Sequence, residues 1–195
     1  ILTWASIVVV VALWVSNGGV QQLDGLASGL TSAGRLSGLL AADLLLIQVL
    51  LMARIPVVER VHGQDELARR HRLVGFSSVT LLAVHIATIT YGYARTVEVN
   101  VLAQAWELLV DYPGMLLAAA AAVLIGMVAW TSMKRARARL RYESWHLLHL
   151  YAYLGVGLSV PHEVWSGADF NHSPLATAYW WSLYGVALGS ILTWR

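Results

Sequence analysis

HRLVGFSSVTLLAVHIATITYGYA, residues 71–94, is an apolar run carrying two histidines, His71 and His85, fourteen residues apart. After Arg72 it holds no charged side chain until Arg95. A helix that crosses a bilayer needs about 20 predominantly apolar residues, and this run supplies them. Five more stretches of similar length accompany it, at roughly 1–20, 36–55, 113–133, 145–165 and 174–194. The pattern predicts an all-α integral membrane protein, a six-transmembrane-helix bundle forming a single domain over 1–195. Pro113 and Pro174 stand where the fourth and sixth segments begin, a position that tolerates a missing N–H.

Composition agrees. The chain is 58% hydrophobic and 12% charged, whereas soluble domains are about 45–50% apolar and about 25% charged. Nine Trp and eight Tyr stand against two Phe, and amphipathic rings collect where lipid meets water. The chain has no Cys. That excludes disulfides, iron–sulfur clusters, thiolate ligation of haem and covalent haem attachment. The chain opens at Ile1 without a Met and is expected to be part of a longer protein.

Charge fixes the expected orientation. Arg54, Arg60, Arg69, Arg70 and Arg72 lie between the second and third segments. Lys134, Arg135, Arg137, Arg139 and Arg141 lie between the fourth and fifth. With Arg195 these are 11 of the 13 basic residues, leaving Arg35 and Arg95 on the other side. The positive-inside rule puts both basic loops and both termini in the cytoplasm of a multi-pass plasma-membrane protein. Charge sorted in this way expresses topology and points to the lipid bilayer as partner, not to nucleic acid. The 96–112 stretch, with Trp106, is expected to form a short helix on the outer surface.

The histidines carry the chemistry. His149 and His162 lie thirteen residues apart in the fifth segment, which runs parallel to the third. The separations along the two axes are about 21 Å and about 20 Å. Parallel segments with matched spacing can present two facing pairs, His71 with His149 near the cytoplasm and His85 with His162 near the outside. Thirteen residues miss the same helix face by about 140°, so the fifth segment must deviate, and Pro161 gives a cause. Gly75, Gly155 and Gly157 are expected to leave room for a flat macrocycle. His146, three residues before His149, is a rival inner ligand. His62 and His172 read as surface residues. Zinc prefers several ligands at one level. Two levels of paired imidazole, with little carboxylate, instead suit two stacked haems b. Asp43, charged within a segment, should be paired or hydrogen-bonded, since a lone charge is costly there.

These residues resemble the ferric reductase-like transmembrane domain of ferric reductases and NADPH oxidases. Arg54-Ile55-Pro56-Val57-Val58-Glu59-Arg60, His71-Arg72-Leu73-Val74-Gly75 and His85 resemble its second loop and third helix. Trp145-His146-Leu147-Leu148-His149-Leu150 with His162 resembles its fifth helix. The resemblance implies that His71, His149, His85 and His162 are the axial ligands, with His149 rather than His146 at the inner haem. It also implies that Arg35, 19 residues before Arg54, is similar to an arginine near the outer haem. It implies an oxidoreductase fed by FAD and NAD(P)H on a cytoplasmic flavin reductase module, fused after Arg195 or separate, with a small acceptor outside. Ile89 stands where NADPH oxidases often carry a further His, and Gly155 where an aromatic residue is thought to separate the haems. Both departures weigh against a dedicated oxygen-reducing role, and Ile89 favours ferric chelates as acceptor. A haem subunit serving a separate periplasmic reductase, similar to the membrane partner of methionine sulfoxide reductase, is the other alternative.

Overall fold

The computed structural model describes residues 2–195; Ile1, the first residue of the first predicted span, lies outside the described residues. Its helices are α1 (Leu2–Ser16), α2 (Leu26–Met52), α3 (Pro56–His62), α4 (Gln64–Val97) and α5 (Val101–Asp111). They continue with α6 (Met115–Ser132), α7 (Lys134–Arg137), α8 (Tyr142–Trp165) and α9 (Pro174–Trp194). No strand occurs among the described residues, so the all-α prediction holds. Among the described residues, α2, α4, α6 and α9 are long and apolar enough to cross a membrane. The first predicted span appears as the 15-residue α1, apolar but short. The fifth appears as the 24-residue α8, whose length suffices. Tyr142, Glu143, Ser144, His146, His149, His162 and Glu163 hold its mean hydropathy down.

Boundaries shift for identifiable reasons. The second span begins about ten residues earlier than its apolar run, at Leu26, because Ser, Gly, Thr and Ala between 27 and 34 continue the helix as small packing residues. The basic 54–72 segment, expected as a loop, is largely helical. Pro56 opens α3 at its first turn, where proline costs nothing. Gly63, at φ 73°, breaks the chain before α4, a conformation glycine adopts freely. At 34 residues α4 is about 51 Å long, well beyond the roughly 30 Å hydrocarbon core. Its first turns therefore belong to water, and there Glu66 accepts from Arg69 and Arg70, each at 2.7 Å. The predicted short helix is α5, where Asn100 accepts from the Leu102 N–H at 2.8 Å, a regular N-cap.

The chain forms two compact units. The first comprises the residues up to Val97 together with Ala168–Arg195, and the second Glu98–Gly167. In the first, α2 packs against α4, α1 and α9. Ala41, Leu44, Leu45 and Leu46 of α2 are buried, and Phe170 stacks on Trp180 at 4.6 Å. Asp43 is fully buried; Ser6 and Tyr179 hydroxyls donate to its Oδ1 at 2.5 and 2.7 Å, which meets the expectation of a neighbour's hydrogen bond. In the second unit, α6 packs along α8 and receives α5 and α7. Large apolar side chains such as Phe76, Val123, Leu192 and Trp4 stand outward, 70–77% exposed, an arrangement suited to lipid and costly in water.

Candidate functional site

In the first unit both ligand candidates hang on the backbone of α2. The His71 Nδ1 lies 3.2 Å from the carbonyl oxygen of Gln48. The His85 Nδ1 lies 2.8 Å from that of Gly34. The fourteen-residue step from Gly34 to Gln48 on α2 equals the step from His71 to His85 on antiparallel α4. One helix thus repeats the same support at two levels. A carbonyl only accepts, so each Nδ1 must carry the proton, and Nε2 then holds the lone pair a metal uses. This tautomer suits a metal-ligating imidazole.

Such closeness requires an α2 surface without side chains. A Cβ on Gly38 would stand 2.5 Å from His85 Nδ1, and one on Gly34 2.7 Å from Thr88 Oγ1 and 2.8 Å from Ile89 Cγ1. Gly34 and Gly38 form a Gly-x-x-x-Gly pair, a pattern that lets membrane helices approach. Sequence reasoning passed over it, although the signal was present. Ile89 packs on Gly34. A Cβ on Gly75 would stand 2.8 Å from Gln48 Oε1, so this glycine faces the tip of an α2 side chain.

Arg35 lies beside the carbonyl that holds His85. Its Nε and NH2 donate to the two Asp169 oxygens at 2.7 and 2.6 Å. Its NH1 donates to Gln22 at 2.5 Å, and Asn17 also donates to Asp169 at 2.5 Å. The guanidinium is thus neutralised by a carboxylate only 7% exposed. The distance of 134 residues between Asp169 and Arg35 hides the pairing in the sequence.

The second unit carries the other two histidines on α8. The His149 Nδ1 lies 3.2 Å from Ser132 Oγ at the end of α6. Its ring stands 5.1 Å from that of Trp145. His146, the rival, instead stacks on Tyr142 at 5.9 Å and 7°. Near His162, Gly114 of the α6 N-cap, at φ 79°, would place a Cβ 2.8 Å from the His162 backbone nitrogen. Ser166 donates to the Pro113 carbonyl at 2.7 Å. Glycine and serine thus tie that end of α8 to the start of α6. The helix runs through Pro161 without interruption. A Cβ on Gly155 would meet Ile125 at 3.0 Å; this glycine therefore serves α6–α8 packing, contrary to the expectation of room for a macrocycle. A Cβ on Gly157 would meet nothing within 4 Å. His62 and His172 are exposed.

A family model described as ferric reductase like transmembrane component matches residues 37–160. The match includes His71, His85 and His149, while Arg35 and His162 lie just beyond its ends. No curated protein and no solved structure matches the chain.

Proposed function

Since the chain belongs to the ferric reductase-like transmembrane family, we propose that it passes single electrons across a plasma membrane through two haems b. In this proposal His71 and His149 would hold the inner haem, and His85 and His162 the outer. The observation that carries the reading is the repeated hold of α2 carbonyls on His71 and His85, which prepares both imidazoles as metal ligands on two levels. When bound, haem supplies an iron that alternates between ferric and ferrous states. The protein's residues fix the ligand tautomers, bury the site and set the approach of donor and acceptor. With two imidazoles holding each haem, an acceptor would be reduced without binding the iron directly.

In this reading α1 and α8 complete a set of six spans, and both termini are cytoplasmic. Reduced flavin, supplied from NAD(P)H by a fused or separate module, is the donor. Ferric chelates are the favoured acceptor, because Ile89 brings no polar donor to the outer level. Arg35 is paired with Asp169. Its three hydrogen bonds use three of five guanidinium N–H groups. The rest can meet a haem propionate. Oxygen, or a separate periplasmic reductase, is the competing acceptor.

Haem content and a reduced-minus-oxidised spectrum test the reading. Two low-spin b haems per chain are expected, and His85→Leu should remove one and spare the other. A content of one haem, or none, refutes the proposal.

A further inference from the structure

His149 is held differently from the two histidines of the first unit. Those lean on backbone carbonyls, but His149 meets a side chain, the Ser132 hydroxyl, at 3.2 Å. The same oxygen receives the Trp145 indole N–H at 3.4 Å. Trp145 sits one turn before His149 on α8, its ring 5.1 Å away and tilted by 36°. The Arg137 guanidinium carbon stands 4.6 Å from the centre of the Trp145 ring. The indole is thus fixed by a cation, a hydroxyl and the imidazole itself.

We propose that Ser132 and Trp145 are positioning residues that fix the tautomer of His149 and set how strongly it donates electrons to the inner iron. The inference rests on His149 being the inner ligand. An imidazole that gives Nε2 to a metal keeps its proton on Nδ1, so Nδ1 donates and Ser132 Oγ accepts. Accepting that bond makes the imidazole a stronger donor to iron and favours the ferric state. The hydroxyl oxygen has two lone pairs. Because the indole N–H engages one of them, Ser132 accepts from His149 less strongly than it otherwise would. Ser132 and Trp145 therefore act in opposite directions on the inner haem: the hydroxyl lowers its potential and the indole N–H raises it. A backbone carbonyl cannot be tuned in this way, because no substitution removes it.

The test is an optical redox titration of the purified, haem-loaded full chain, with the inner haem identified as the one retained in His85→Leu. Ser132→Ala should raise the inner potential, or release the inner haem where ligand orientation fails. Ser132→Thr, which keeps the hydroxyl, should restore wild-type behaviour. Trp145→Phe keeps a ring against His149 but removes the N–H, and should lower the inner potential. The outer potential should stay in place in all three. Shifts of the same sign for Ser132→Ala and Trp145→Phe, no shift with both haems bound, or loss of the inner haem in Ser132→Thr as well would overturn the proposal. Wild-type protein with two haems but an inner haem that survives His149→Leu would refute the ligand assignment itself. Wild-type protein without haem would refute the proposed function.

Discussion

Gly38→Ala adds one methyl group where α2 meets His85. Its Cβ would stand 2.5 Å from Nδ1, 2.8 Å from Cε1 and 3.1 Å from Cγ of that ring. Ordinary contact begins at 3.4 Å, so the ring must withdraw by about 0.9 Å from the methyl. Withdrawal by that full amount along the bond stretches the 2.8 Å contact with the Gly34 carbonyl to about 3.7 Å, which is no longer a hydrogen bond. Overpacking costs about 1–3 kcal/mol, and the lost bond about 1–3 kcal/mol more. The better helix propensity of alanine returns about 1 kcal/mol. The net of roughly 1–5 kcal/mol falls on the arrangement proposed to hold the outer haem, weakening its retention by roughly five- to four-thousandfold. The assay is haem stoichiometry with the reduced-minus-oxidised spectrum, beside Gly189→Ala as control, since a Cβ there meets nothing within 4 Å. Gly38→Ala should lose or perturb one haem while the haem of His71 persists. Two unperturbed haems in Gly38→Ala would show that α2 does not set the outer ligand.

Four further outcomes are expected. His146→Leu should keep both haems and His149→Leu should lose the inner one, because Ser132 and Trp145 hold His149 while His146 stacks on Tyr142; the reverse result would move the ligand by three residues. Asp169→Asn removes the partner of a largely buried guanidinium and should destabilise the fold by about 3 kcal/mol, read as a fall in Tm, with Arg35→Leu/Asp169→Leu costing less than either single change. A reporter fused after Arg195 should be active only if it works in the cytoplasm; periplasmic activity would exchange the inner and outer labels. After anaerobic reduction, ferric citrate should reoxidise the outer haem faster than oxygen at equal concentration, and faster reoxidation by oxygen with superoxide as product would instead favour an oxidase.

What the linear chain settles is whatever depends on local pattern. Apolar runs the length of a bilayer appear as helices because a backbone in lipid must satisfy its own hydrogen bonds. The basic residues between segments predict a side, and the spacing of His71, His85, His149 and His162 singles out four candidate ligands before any fold is known. The Gly34–Gly38 pair was equally legible as a close-approach signal. Tertiary structure alone supplies the partners. The Gln48 and Gly34 carbonyls that hold His71 and His85 belong to the main chain, which every residue type shares, so no sequence pattern marks them. Asp169 meets Arg35 across 134 residues, and Tyr179 meets Asp43 across 136. Gly75 and Gly155 read alike in sequence as space for a cofactor, yet each faces a side chain of a neighbouring helix. A missing side chain states that something lies close; only the packed neighbour decides what it is.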